Sequence, residues 1–266
     1  HLGDLLGCVG HGGLRIVITK LQHEPTLIPS VNRSEVEKNI IPTTWHENGV
    51  LVHGEWNDFS YSIGLVNSMD AANFSDSSWI RSGRQKGAEA KAEDWATVAR
   101  LDWLAVHDLT LGMSFYNGDS GQGSAAIGDA TVTLWEAHML YSLRGLKLKG
   151  LFVQGELTDS AAVSTAAGKV VGKKAYGYYL EGQYNLWSHI APESEKAVNV
   201  FARFEEYNPH DELLATENRT LHKRRTVLGV TYLPIANVLL KADYQMRENK
   251  TVDEADFVEL GMGYVF

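Results

Sequence analysis

The sequence predicts an all-β chain, an antiparallel up-and-down transmembrane β-barrel forming a single domain over residues 1–266. Three observations lead there. In the last stretch, Val258, Leu260, Met262, Tyr264 and Phe266 fall on one face of an extended strand and Glu259, Gly261 and Gly263 on the other, because side chains alternate with period two. From residue 50 onward such stretches are joined by connections that are alternately long and short, which collects every long loop at one end of a meander. The face opposite the apolar one carries full charges at mid-strand, which would be ruinous in a dry sandwich core and are tolerable on a surface lining water.

Composition narrows the classes. A 44% hydrophobic content with 25 glycines, 6 prolines and one cysteine suits one large domain. No run of about 18 apolar residues exists, so a helical membrane span is excluded. The net charge of -9 argues against a nucleic-acid partner. Cys8 alone allows no internal disulfide, cysteine-based zinc site or redox pair.

Residues His1 to Gly13 are atypical, with neither alternation nor helix caps, and Leu14 to Lys20 reads as a strand. The excursion over residues 21–48 holds Pro25, Pro29 and Pro42, which cannot donate to a ladder, and is expected to be loop or short turns. Val50–Trp56 and Phe59–Val66 form a hairpin about Asn57-Asp58, with His53 and Glu55 opposite the apolar face of the first strand. After a loop of roughly 28 residues, far beyond the usual connection, Thr97–Trp103 and Leu109–Asn117 pair through a turn near His107-Asp108. Gly118–Asp129 is a Gly- and Ser-rich loop. Thr131–Tyr141 and Leu146–Leu157 then flank a tight turn, and a polar loop covers Thr158–Lys174. Tyr176–Leu186 leads to Ala197–Tyr207, a polar loop covers Asn208–His222, and Arg225–Leu233 turns at Pro234–Asn237 into Val238–Arg247. With the terminal strand this makes about 12 strands, each near the length that a tilted membrane strand needs.

The outward set ends in Trp56, Trp103, Trp135, Tyr141, Tyr184, Tyr232 and Tyr244, which suits two aromatic belts better than a core of ordinary size. Lipid cannot satisfy an open edge, so the wall is expected to close. The inward set supplies the expected pore lining: Arg100, Asp102, Glu136, Lys147, Lys149, Glu181, Arg203, Glu205, Lys241, Asp243, Arg247 and Glu259. Its signs nearly balance. For Lys147 and Lys149 the bland alternative is a pair of interfacial lysines near a short turn. Arg81, Arg84 and Lys86, in the long loop after the first hairpin, are the expected constriction residues; solvated loop charges are the equal alternative. Lys223, Arg224 and Arg225 at an outer strand end suit lipopolysaccharide phosphates or plain solvated charge.

The ten histidines show no ligand spacing, so no metal is expected, and no cofactor either. No Gly-X-Ser-X-Gly element or activating cluster points to an enzyme.

Val31–Trp45, Ser78–Gly87, Asn117–Gln122 and Gly229–Ala236 are similar to segments of outer-membrane porins grouped with the phosphate-selective porins O and P, and the similarity spans about Leu21 to Phe266. The resemblance implies passive diffusion of small hydrophilic solutes or ions, including anions such as phosphate, across the outer membrane of a Gram-negative bacterium. It implies a homotrimer of 16-stranded barrels set in outer-membrane lipid and lipopolysaccharide. It also implies that the terminal Phe266 is read by the barrel assembly machinery. Against a 16-stranded family the wall as given is incompletely closed, and an amino-terminal truncation or misplaced start is expected. No ladder of cations can be carried over residue by residue, so the resemblance does not fix selectivity. The competing classes are a barrel enzyme and an adhesin or structural barrel without an open channel.

Overall fold

The computed structural model describes residues 14–15, 28–42, 45–87, 90–191, 194, 196–213 and 221–264. Eleven strands form one antiparallel sheet in strict sequence order: β3 (Gly49–Trp56), β4 (Phe59–Asn67), β5 (Trp95–Trp103), β6 (Leu109–Gly118), β7 (Val132–Leu143), β8 (Leu146–Leu157), β9 (Lys174–Asn185), β10 (Ala197–Glu212), β11 (Lys223–Ile235), β12 (Val238–Asn249) and β13 (Phe257–Tyr264). A separate two-stranded sheet pairs β1 (Leu14–Arg15) with β2 (His46–Glu47). This is the up-and-down wall of a barrel, and each strand pairs only with its chain neighbours. Closure does not follow among the described residues: β3 and β13 are the sheet's edges and do not pair with each other. Of the expected strand Leu14–Lys20 only β1 is described; residues 16–20, His1 to Gly13 and the terminal Phe266 lie outside the described residues.

Local chemistry explains the registers. The β7–β8 turn places Arg144 (φ 44) and Gly145 (φ 86) in the left-handed region, the arrangement whose twist matches the flanking strands. Pairing then runs unbroken from Leu143↔Leu146 to Val132↔Leu157. The connections of β3–β4, β5–β6, β7–β8, β9–β10 and β11–β12 gather at one end of the sheet and those of β4–β5, β6–β7, β8–β9, β10–β11 and β12–β13 at the other; the expected alternation of long with short fails at β9–β10, whose connection over residues 186–196 exceeds those over 213–222 and 250–256.

One face carries exposed apolar side chains along its length, such as Val52, Ile63, Leu101, Phe115, Trp135, Leu180, Leu228 and Leu260. The other face is covered. Helix α1 (Glu35–Asn39) lies within a segment, residues 28–42, that crosses it, and helix α2 (Ser160–Ala167) sits in the β8–β9 connection. Both stretches read as plain loop in the sequence. Toward the long-connection end, Val36, Ile40, Ile41 and Trp45 meet Met69, Phe74, Trp79 and Ile80 of the β4–β5 connection and wall residues such as Tyr116, Leu134 and Val153 in one apolar cluster. Trp79 is fully buried, its Nε1 donates to the Gly172 carbonyl at 2.9 Å, and its ring lies where a Cβ on Gly155 would stand 2.2 Å away. The inner face is therefore wet only in part: its long-connection half is a dry core. The expectation of a water-lined face throughout is corrected by loop residues that supply the missing apolar partners.

Candidate functional site: the inner wall and its crossing segment

The charges on the inner face form two groups and a cavity. In the first group, the Arg100 guanidinium holds Asp102 through Nε at 2.9 Å and Nη2 at 2.9 Å, and His138 stands between Asp102 (3.1 Å) and Glu136 (3.1 Å). Ser114 donates to Glu136 at 2.6 Å. These residues meet because β5, β6 and β7 are adjacent, with Arg100 opposite Ser114 and Ser114 opposite Glu136. Gly112 makes room: a Cβ there would lie 2.2 Å from Asp102 Oδ1 and 2.4 Å from the His138 ring. Burial of so many charges is tolerable because each is engaged by an opposite or hydrogen-bonding neighbour. Ser114 Oγ is committed to a carboxylate.

The second group holds the crossing segment. Asp243 accepts from Ser30 Oγ at 2.8 Å and Val31 N at 2.7 Å, Glu259 from Asn32 at 2.5 Å, and Glu205 from Ser34 Oγ at 2.6 Å and Glu35 N at 2.8 Å. From the wall, Lys241 donates to the Ile28 and Ser30 carbonyls at 2.5 and 2.9 Å, Thr231 to the Pro29 carbonyl at 2.6 Å, and Arg225 to Glu35 at 3.2 Å. Arg203, almost fully buried, pairs with Glu181 at 3.1 Å. The segment thus spans from β13 past β10 to β9, where Tyr179 donates to Glu37 at 2.5 Å. It then reaches Trp45, whose ring packs on Tyr116 with centroids 4.8 Å apart. Burial pushes the Glu37 carboxyl above the ordinary range, against the bond from Tyr179 and the nearby Lys149. Glu35, although also pushed up by burial, is held below the ordinary range by Arg225 and Lys38.

Between α1 and the wall a cavity of about 250 Å³ remains toward the short-turn end, lined by Arg33, Glu37, His138, Tyr141, Lys147, Lys149, Glu181 and Arg203 among others. Lys147 is exposed, and Lys149 lies 3.8 Å from Glu181.

All twelve residues expected to line a pore stand on the inner face, since they share the parity of the covered side. They do not form one surface. Arg100, Lys147, Lys149, Glu181 and Arg203 reach the cavity, while Asp102 and Glu136 lie behind Arg100 and His138. Glu205, Lys241, Asp243 and Glu259 are taken up by the crossing segment. Arg247 sits at the long-connection rim, 4.5 Å over the Phe257 ring and bonded to the Ala255 carbonyl. The loop of Arg81, Arg84 and Lys86 does fold inward, but through its apolar residues. Arg84 Nε donates to the Arg81 carbonyl at 2.8 Å, and burial together with the neighbouring Arg81 lowers the Arg84 pKa. Lys86 is exposed, in a left-handed turn.

Residues 28–42, which the sequence presented as connection, cross the inner wall instead. A signal was present: Ser34-Glu35-Val36-Glu37 has the Ser-x-x-Glu spacing of a helix start, and Ser34 Oγ accepts from Val36 N at 3.1 Å.

No family model matches the chain. An uncharacterized protein of Aquifex aeolicus (strain VF5) is 28% identical over 272 residues, a stretch covering 96% of this chain and 62% of that protein, so the chain spans less than two thirds of its relative's length. Among solved structures, a loop L8 deletion mutant of OmpT, an outer membrane protein of Vibrio cholerae, superposes with a TM-score of 0.53 at 13% identity, over 89% of this chain and 70% of that one. A porin refined at 1.8 Å superposes with a TM-score of 0.51 at 13% identity, over 84% of this chain and 64% of that one. At such identities the likeness is one of fold: the chain has the antiparallel wall of a porin-type β-barrel.

Proposed function

We propose that this chain forms the wall and constriction of an outer-membrane channel for passive diffusion of small hydrophilic solutes, and that its cavity favours anions. The observation that carries the proposal is the cavity on the inner face of a wall whose other face is apolar and exposed. Electrostatics supports the anion preference. Glu181 is engaged by Arg203, the raised pKa of Glu37 disfavours its charge, and Lys147, Lys149 and Arg33 line the same space. A concave, partly apolar site whose lining carries an excess of one sign of charge, here five Lys and Arg against Glu37 and Glu181, raises the local concentration of the opposite ion. The crossing segment 28–42, rather than the loop of Arg81 and Arg84, acts as the constriction, because it covers the inner wall from β13 to β9.

Reconstitution into a planar bilayer tests this. Stepwise conductance is expected, with a reversal potential in a salt gradient displaced toward the anion; Lys147→Glu with Lys149→Glu should move it toward the cation. A silent bilayer would favour an adhesin or closed structural barrel, and an unmoved reversal potential would remove these lysines from the conduction path.

A further inference from the structure

The crossing segment is held in two different ways along its length. Val36, Ile40, Ile41 and Trp45 are each at most 4% exposed and belong to the apolar cluster. None of residues 28–35 belongs to it. That half is held by polar contacts, among them Asp243 to Ser30 and Val31, Glu259 to Asn32, Arg203 to the Asn32 carbonyl, Glu205 to Ser34 and Glu35, Lys241 and Thr231 to carbonyls, and the ion pairs of Glu35 with Arg225 and Lys38. Once the segment lifts, water can solvate the partners of each such bond, whereas drawing the other half away would expose apolar surface. Local opening follows the parts of a structure with few buried apolar contacts.

We infer that residues 28–35 are a detachable limb hinged in the first turn of α1, at Glu35–Val36, which lies on the inner wall in the closed state and lifts from β10, β11, β12 and β13 to widen the passage, while residues 36–42 stay fixed. The inference rests on the channel reading for its consequence, but the motion has a readout of its own. The limb meets β13 where Gly261 faces Val31: a Cβ on Gly261 would stand 3.6 Å from the Val31 Cβ. That separation suits a disulfide, whose Cβ atoms lie about 3.5–4.5 Å apart.

The test is Val31→Cys with Gly261→Cys, in a chain also carrying Cys8→Ser, compared oxidised and reduced. Mass spectrometry reports the crosslink, trypsin cleavage at the Arg33–Ser34 bond reports lifting of the limb in detergent, and bilayer conductance reports the passage. Oxidation is expected to slow that cleavage by at least about tenfold, as for a site reached only from a minor open state. It should also abolish the larger of two conductance levels, and reductant should restore both. Equal cleavage in a verified crosslink, or failure of the crosslink to form in folded protein, overturns the inference. Slowed cleavage with a single conductance level unchanged by oxidation would show a limb that moves without widening the passage, which also overturns it. A bilayer silent in both redox states would remove the channel reading while the cleavage rates still decide whether the limb lifts.

Discussion

Leu228→Arg probes the facing on which the channel reading depends. Leu228 is the sixth of thirteen residues in β11, points away from the crossing segment and is 45% exposed, between Ala202 on β10 and Tyr244 on β12. At about 3.3 Å per residue it lies roughly 16 Å along the strand from one end and roughly 23 Å from the other. A strand tilt of about 40° reduces these to heights of roughly 13 and 18 Å, which centres the residue in an apolar band about 25 Å tall. An arginine at the midplane of a barrel's lipid face is expected to be destabilising by about 2–4 kcal/mol. That range is a factor of roughly 30 to 900 in the folding equilibrium. Leu143→Arg is the matched control: Leu143 is also 45% exposed but ends β7 beside the Arg144-Gly145 turn, where the same change should be destabilising by at most about 1 kcal/mol. Equilibrium unfolding by denaturant in lipid vesicles, followed by tryptophan fluorescence, measures both. Equal small effects would mean that Leu228 does not see hydrocarbon, and the wall would not be a membrane wall.

Two further substitutions report on the inner face. Gly112→Ala should be destabilising by about 3–5 kcal/mol, because its methyl group would stand against Asp102 and His138 and part a buried charged group. Gly182→Ala, whose Cβ would meet only Leu148 Cδ2 at 3.4 Å, should change the same denaturation midpoint little; similar effects would mean that the charged group is not tightly packed. Glu37→Gln tests the buried carboxyl on α1 through pH. A folded-state pKa above the unfolded one means that the folded chain holds a proton that the unfolded chain releases. Stability is then lost as pH rises from the unfolded value of about 4.5 through the folded one. The glutamine variant should lack this loss, gaining on the parent as pH rises and matching it near pH 4; parallel stability profiles would show that Glu37 ionises as it does in the unfolded chain.

The strands were legible because period two and tight turns are local properties. Leu146 to Leu157, read from alternation and the turn before it, is β8 residue for residue. Elsewhere the ends drifted: β10, read to Tyr207, runs on to Glu212 past a register shift after Asn208, since the strand continues beyond the apolar belt where alternation no longer carries a signal. Helix α2 went unread although Ser160–Ala167 is rich in alanine and Gly168 closes it in the left-handed region. Five helical residues in α1 are too few for a 3.6-residue period to show. The place of the crossing segment was not legible at all. Its partners Glu205 and Asp243 lie 171 and 213 residues away from Ser34 and Ser30, and no local pattern encodes such a meeting.

The same separation explains why the wall offers carboxylates where the segment passes. An extended stretch that joins no sheet leaves backbone N–H groups without ladder partners, and a buried unpaired N–H is expensive. Val31 N is such a donor and Glu35 N, at the first position of α1, likewise has no partner within its helix, and each ends on a wall carboxylate. A carboxylate accepts at both oxygens, so Asp243 and Glu205 each take a hydroxyl of the segment, from Ser30 and Ser34, as well as the N–H. Lys241 and Arg225 nearby limit the repulsion among these acids and themselves donate to the segment. Acidic residues spaced along β10, β12 and β13 therefore have a role apart from any solute. They hold a polar strand of backbone that an apolar wall would leave unsatisfied, and Lys147, Lys149 and Arg33 remain on the cavity to which the proposed selectivity is assigned.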